Sequence, residues 1–163
     1  MKQLAALLLL APLSACGLHP LYAGGAQGTV AQSLARVEVA PIEGKAGWLM
    51  RNALRDRFAA AGGEAPLYRL DVRLDDQITG LGVRRDDGVT RERRRLRARY
   101  QLVDLAKGTV LLDATAGSDA GIDVISSSEY ATIAAENTAL ERLSGIVADQ
   151  VVTRLAVRAR GQP

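Results

Sequence analysis

Five arginines at every second position are the residues of this sequence best placed to bind a ligand. They are Arg91, Arg93, Arg95, Arg97 and Arg99, termed here the arginine row. Alternate side chains of a β-strand lie on one face roughly 6.6 Å apart, so the arginine row would form a line of positive charge about 26 Å long. Guanidinium groups bind phosphates and carboxylates bidentately. The pattern therefore predicts a surface that recognises an anion.

The same pattern also has a purely structural explanation. Asp71 and Asp75 belong to the preceding predicted strand and could pair with arginines across the sheet, which would give a solvated salt-bridge face. Two aspartates are too few for the arginine row, and Arg84 and Arg85 add positive charge at the predicted hairpin tip. We therefore keep Arg84, Arg85 and the whole arginine row as candidate anion-binding residues.

The other polar residues give little support for catalysis. The single histidine, His19, lies three residues from the single cysteine, Cys16, so neither a Ser-His pair nor a histidine metal site is expected in the folded domain. The carboxylate pairs Asp75-Asp76 and Asp86-Asp87 flank a charged hairpin, where they are typical arginine partners or turn residues. The sequence therefore predicts no enzyme activity, no metal and no cofactor.

The N-terminal segment has the features of a bacterial lipoprotein signal. Lys2 precedes an apolar run of about ten residues, which is too short to span a bilayer. Leu13-Ser14-Ala15-Cys16 resembles the lipobox, in which the cysteine receives diacylglycerol before cleavage. We therefore expect residues 1–15 to be removed and Cys16 to carry the lipid. A plain signal peptide followed by a free thiol is the alternative.

The predicted lipid anchor also indicates a compartment. Two or three acyl chains on Cys16 would hold the protein firmly on a membrane. An aspartate after the cysteine commonly marks retention in the inner membrane, and this chain has Gly17 there. The expected location is therefore the periplasmic face of the outer membrane. Nucleic acid is excluded as a partner by that compartment, and the formal net charge of +3 is also too small to indicate it.

Hydrophobic periodicity predicts the folded part of the chain. Residues 16–33 show little periodicity and are predicted to be a flexible tether, and residues 34–160 a single α/β domain. Period-two alternation predicts three strands in a meander over 68–78, 91–102 and 109–116, with a tight turn near Lys107-Gly108. The even-numbered apolar residues of the first two strands, among them Ile78, are expected to face the core. A short strand from Ala35 that ends at Pro41, and a helix through Phe58, precede them.

A long amphipathic helix is predicted to close the domain. Apolar residues from Ile133 to Leu155 follow helical spacing, and Ser126-Ser127-Ser128-Glu129 has the spacing of a capping box. The element order β-α-β-β-β-α predicts an α+β fold of two layers, with a four-stranded mixed sheet and two helices on one face.

In an outer membrane, two anionic partners suit the candidate arginines. One is lipopolysaccharide, whose lipid A carries phosphates beside acyl chains, and the other is an acidic protein surface such as the lumen of a β-barrel. Both would use the same arginines.

The start of the mature chain also resembles a known family. Cys16-Gly17-Leu18-His19-Pro20-Leu21-Tyr22 is similar to the C-G-F-R-P-L-Y start of alphaproteobacterial LptE, the lipopolysaccharide-assembly lipoprotein also known as rare lipoprotein B. Leu18 and His19 depart from the usual Phe and Arg of that motif. Residues 128–137 and 146–155 resemble the closing helix of the family.

The resemblance implies a function without an enzyme reaction. LptE proteins sit as a plug inside the β-barrel of LptD, assist its assembly, and help to pass lipopolysaccharide to the outer leaflet. The basic lipopolysaccharide-contacting role would then fall on the arginines nearest the hairpin tip, which are Arg84, Arg85, Arg91, Arg93 and Arg95. Two alternatives stay open: an auxiliary lipoprotein of an ABC-type lipid transporter, and a structural lipoprotein without a ligand.

Overall fold

The fold consists of one mixed sheet and three helices in the order α-β-α-β-β-β-α. The computed structural model describes residues 28–58, 65–83, 89–125 and 127–161. The elements are α1 (Thr29–Ala35), β1 (Val37–Val39), α2 (Gly44–Phe58), β2 (Tyr68–Val83), β3 (Val89–Asp104), β4 (Val110–Asp123) and α3 (Glu129–Arg160). The predicted α+β class and the four-stranded mixed sheet are confirmed, and the predicted order lacked one helix.

Helix α1 is the element that the sequence did not predict. Residues 29–33, expected to end the tether, are helical, and so is Ala35, expected in the first strand. Val30 and Leu34 lie four residues apart and are both buried, and Leu34 lies beside Leu155 of α3. Seven residues are too few for a stable isolated helix, so burial against α3 stabilises α1. Residues 1–27, with the predicted signal peptide and most of the tether, lie outside the described residues.

The sheet has the strand order β1-β2-β3-β4. Strand β1 pairs parallel with the start of β2, and β2, β3 and β4 form an antiparallel meander. The predicted turn between β3 and β4 is confirmed: the Asp104 carboxylate accepts hydrogen bonds from the N–H groups of Ala106 and Lys107. Gly108 follows at φ +66°, a left-handed conformation that favours glycine.

Helices α2 and α3 cover one face of the sheet and run parallel to each other. Near their N-terminal ends Lys45 Nζ donates to Asn137 Oδ1 at 2.6 Å, and further along Arg57 Nε donates to Asp149 Oδ1 at 2.6 Å. The even-numbered residues of β2 and β3 point at the helices and supply much of the core. The most deeply buried of these are Leu70, Leu96, Ala98 and Tyr100.

The helix layer is shorter than the sheet beside β2. Fifteen residues of α2 extend about 22 Å, whereas sixteen residues of β2 extend about 50 Å. Ile78, predicted on the buried face of β2, is consequently 43% exposed.

The start of α3 differs by two residues from the predicted capping box. The N-cap is Ser128, whose Oγ accepts a hydrogen bond from the Ala131 N–H at 3.2 Å, so the helix begins at Glu129. In the capping box Glu129 would have been the third helical residue. It is the first, and its carboxylate still lies at the positive end of the helix dipole.

Beyond the apolar core, the covered face of the sheet carries a polar cluster, defined as Asp76, Glu92, Arg94 and Glu136. Arg94 lies between members of the arginine row but points to the opposite face, where its side chain is 10% exposed. Its guanidinium donates to both Asp76 oxygens, at 2.8 and 2.5 Å, and to the Glu136 carbonyl oxygen at 2.8 Å. These bonds join β2 and β3 to the first half of α3.

Within the polar cluster, Glu92 lacks a hydrogen bond at one of its carboxylate oxygens. Its Oε2 is buried and has no hydrogen-bond partner among the described residues. Burial raises the pKa of the Glu92 carboxyl above its usual range, and the charge and hydrogen bonding of Glu136 raise it further. The folded protein therefore holds a proton on Glu92 more tightly than an ordinary glutamate would.

We expect Arg94→Met to destabilise the domain by about 2 kcal/mol, because Asp76 would stay partly buried without its ion partner. Urea unfolding would measure this as a lower midpoint with an unchanged slope. Arg142→Met, at an exposed position of α3, is the matched control and should change the midpoint little. Equal midpoints for the two variants would show that the ion pair contributes no net stability.

The polar cluster also predicts a pH dependence. Because the pKa of Glu92 is raised on folding, its contribution is fully present below the ordinary glutamate pKa and is lost as the pH rises through the raised one. Over that window Glu92→Gln should become progressively more stable relative to the wild type. Unfolding free energies measured across the window test this, with Glu141→Gln on the exposed side of α3 as control. Parallel profiles for wild type and Glu92→Gln would contradict it.

Candidate anion-binding face

The arginine row lies on the face of the sheet opposite the helices, which we term the open face. All five members are exposed on β3, and the residues between them at 96 and 98 are buried. The prediction that this strand puts its apolar residues inward and the arginine row outward is confirmed. Arg84 and Arg85 lie outside the described residues.

The carboxylates that pair with the arginine row come from β4. The shortest nitrogen–oxygen distances are 3.2 Å for Arg91–Asp123, 3.7 Å for Arg93–Asp119 and 3.0 Å for Arg99–Asp113. Arg99 and Gln101 both donate to Asp113, and these hydrogen bonds lower the pKa of the Asp113 carboxyl. The three aspartates stand at odd-numbered positions of β4, so they share the open face with the arginine row.

Asp71 and Asp75, the candidate partners in the purely structural explanation, form no ion pair with the arginine row among the described residues. Asp71 accepts two hydrogen bonds from Arg69 of its own strand, at 2.8 and 2.9 Å. Asp75 accepts from Gln77 at 3.1 Å. Both aspartates are thus engaged along β2, and the partners of the arginine row come from the other side.

The described part of the open face is close to electrically neutral. It carries seven arginines and six carboxylates, so the large positive excess expected from the sequence is wrong here. The arginines are Arg69, Arg73, Arg91, Arg93, Arg95, Arg97 and Arg99; the carboxylates are Glu38, Asp71, Asp75, Asp113, Asp119 and Asp123. An anion approaching this face would therefore meet individual guanidinium groups and not a strong long-range field.

The ion pairs of the open face are weak and can exchange. The Arg91 side chain is 68% exposed and its partner Asp123 82% exposed. Ion pairs this exposed contribute little to stability because water and salt screen them. A phosphate that offers two oxygens to one guanidinium can therefore replace the aspartate at small cost.

Three open-face arginines have no ion-pair or hydrogen-bond partner among the residues described. They are Arg73, Arg95 and Arg97, near the middle of the face. Arg97 lies over Gly117 of β4, where an added Cβ would approach the Arg97 Cγ to 3.2 Å. Small residues beside Arg97 leave room for a ligand to reach its guanidinium.

The β4 aspartates could have been found only with a longer predicted strand. The alternation was followed to residue 116, but β4 continues to Asp123 through Gly117 and Gly121. Glycine is disfavoured in strands, which explains why the pattern ended early. Pairing with β3 maintains the strand beyond that point.

The arrangement supports anion binding through guanidinium groups. Within residues 28–58, 65–83, 89–125 and 127–161, no group of three His, Cys, Asp or Glu side chains is placed to hold a metal ion. No helix in these ranges combines the length and the apolar character needed to span a membrane.

Solved structures similar to this chain share its fold. A protein from Caulobacter crescentus CB15, provisionally classed as a lipoprotein, has a TM-score of 0.69 and 26% identity, over 83% of this chain and 100% of that one. Rare lipoprotein B from Shewanella oneidensis has a TM-score of 0.57 and 10% identity, over 77% and 96%. A minor lipoprotein from Acinetobacter baumannii has a TM-score of 0.57 and 13% identity, over 76% of this chain and 92% of that one. The last two likenesses concern the fold alone.

Sequence comparison extends the assignment beyond the fold. No curated protein matches the chain significantly in sequence. The profile of the lipopolysaccharide-assembly family LptE matches residues 34–155, which include all four strands and most of α3. By fold and by sequence profile together, this chain belongs to the LptE family.

Proposed function

We propose that this chain is an outer-membrane lipoprotein that plugs an LptD-like β-barrel, supports assembly of the barrel, and assists lipopolysaccharide transport to the outer leaflet. The family match over residues 34–155 carries the proposal. The role is one of binding and positioning, so it needs no catalytic step, metal or cofactor.

Attachment to the membrane would occur through Cys16. Removal of residues 1–15 would leave Cys16 at the N-terminus, with two or three acyl chains that hold it on the periplasmic face of the outer membrane. The folded domain begins by Gly28, so at most twelve residues, 16–27, would connect the lipid to it. At about 3.5 Å per residue this connection reaches roughly 40 Å when fully extended. The tether would thus keep the domain close to the barrel's periplasmic opening.

Direct contact with lipopolysaccharide would occur on the open face. Arg95 and Arg97 have no described partner, so they can bind lipid A phosphates without breaking an existing pair. Arg91, Arg93 and Arg99 can exchange exposed aspartates for phosphate. Arg84 and Arg85 stay in the candidate set through their place in the sequence, between β2 and β3. Because the face is nearly neutral, tight contact with the phosphate would matter more than attraction from a distance.

Copurification tests the plug role. The tagged full-length chain, extracted from outer membranes in mild detergent, should retain a large β-barrel protein in near-equal amount. Mass spectrometry of the same sample should show N-terminal Cys16 carrying acyl chains. Recovery of ABC-transporter subunits instead of a barrel, or of no stable partner, would contradict the proposal.

Replacement of arginines tests the lipopolysaccharide contact separately. The triple variant Arg91→Ser, Arg93→Ser, Arg95→Ser should bind purified lipopolysaccharide about tenfold more weakly, and its binding should depend less on salt because fewer charge contacts remain to be screened. Serine at Arg55, Arg142 and Arg154, three exposed helix positions, removes the same charge elsewhere and is the control. Equal loss in both triple variants would show that total charge, not the arginine row, governs binding.

A further inference from the structure

Strand β2 has a neighbour on its outer side for only a short part of its length. Strand β1 pairs with residues 68–70 alone, and the last contact is the Ala40 N–H, which donates to the Leu70 carbonyl oxygen at 3.1 Å. Pro41 follows and cannot donate. The chain then packs against α2, where Gly47 provides the space: an added Cβ there would lie 2.5 Å from the Ile42 carbonyl oxygen. This turn takes the chain away from β2.

The rest of β2 presents an open edge, defined here as residues 72–81. The Tyr68 N–H donates to the Arg36 carbonyl oxygen and the Leu70 carbonyl oxygen accepts from Ala40, so even-numbered residues direct their backbone groups away from β3. Of the described residues, none forms a strand beside β2 past Leu70. Ten residues of this edge extend about 33 Å.

The opposite edge of the sheet is partly covered by α3. On β4 the Gly117 N–H donates to the Gln150 side chain at 3.1 Å. Both edges carry three charged side chains, so charge does not distinguish them. Soluble proteins protect edges with charges, prolines, bulges or covering segments. The open edge of β2 has no proline and its pairing register with β3 has no shift over these residues. Ile78 and Leu81 are 43% and 37% exposed on its two faces.

A cleft that contains the side chain of Arg73, which is unpaired among the described residues, lies at the end of the open edge nearest β1. It has a volume of about 450 Å³ and is lined by Ala40, Pro41, Asp71, Val72, Arg73, Arg99 and Gln101. The Asp71 carboxylate is already bonded to Arg69, on the side away from Arg73 along the strand. Arg73 and Arg99 are register partners, and like charges directly opposite each other repel. Arg99 is paired with Asp113, whereas Arg73 has no partner among the described residues. An acidic group in the cleft would relieve this repulsion.

We infer that the open edge of β2 binds an extended segment of the β-barrel partner as an additional strand, with an acidic side chain of that segment at Arg73. The inference rests on the proposed function for the identity of the partner. Backbone hydrogen bonds along the even-numbered residues supply affinity, and Arg73 fixes the register of the added strand. The segment continues the line of β1, beyond the point where Pro41 ends it.

Photo-crosslinking in outer membranes tests this arrangement. A photoreactive residue is placed in turn at Gln77, Thr79 and Leu81, which are exposed on β2. If a strand is added, all three positions will crosslink to one segment of the barrel, and the partner residue will move by about two for each step along β2. Thr115, exposed on β4, is the control position and should not give this stepwise pattern.

Proline substitution tests the backbone contribution. Ile78→Pro removes an N–H that points away from β3, so the β2–β3 ladder is retained. It should lower barrel retention about fivefold, the effect of losing one backbone hydrogen bond. Thr115→Pro, which removes an equivalent outward N–H on β4, should retain the barrel at the wild-type level. Arg73→Ser should lower retention by a similar factor, and Arg142→Ser should not.

The outcomes separate the two proposals. Recovery of the barrel with no stepwise crosslinks from β2, or with equal effects of the two prolines, would overturn the strand addition and leave the plug role intact. Crosslinks to residues 1–27 of the same chain, or to a second copy, would overturn it in the same way. Failure to recover any barrel would instead contradict the proposed function itself.

Discussion

The structure depends on one geometric constraint: a single sheet face of long strands must be buried by two parallel helices of unequal length. Helix α3, with 32 residues, extends about 48 Å and matches the strands, whereas α2 extends less than half as far as β2. The apolar core therefore lies where both helices are present. Where α2 is absent, the covered face changes to the polar cluster around Arg94, and Ile78 meets solvent. The open edge of β2 extends into this same region.

The open face has exposed guanidinium groups that suit an anion, but its net charge is small. Three arginines of β3 pair with aspartates of β4, so cross-strand attraction offsets part of the repulsion that a lone row would produce. Such a nearly neutral surface has no strong long-range attraction for polyanions in general. It can still bind a ligand that offers two oxygens to a guanidinium at the correct spacing. Specificity would then arise from geometry, through the arginines that lack partners.

The sequence predicted structure correctly where the position of a side chain depends only on which face of its own strand or helix it occupies. Alternation in β3 predicted both its buried residues and its arginine row, because each side chain faces either helices or solvent. Contacts between distant elements were not predictable in this way. Helix α1 depends on packing between Leu34 and the Leu155 region of α3. Asp119 pairs with Arg93 because β4 continues past its glycines. Arg94 belongs to the covered face, although it lies between arginines of the open face in the sequence. Each depends on a partner that local periodicity does not identify.

The packing of α1 against α3 brings the two ends of the described chain together. Leu34 and Leu155 line one small cavity, although nearly the whole domain separates them in sequence. The β2–β3–β4 meander can form from neighbouring segments, but β1 needs β2 as a template and α1 needs the last turns of α3. Helix α1, at the start of the described chain, therefore packs only after α3, at its other end, has been made. During synthesis, the first helix of the domain lacks its packing surface until the C-terminal residues are available.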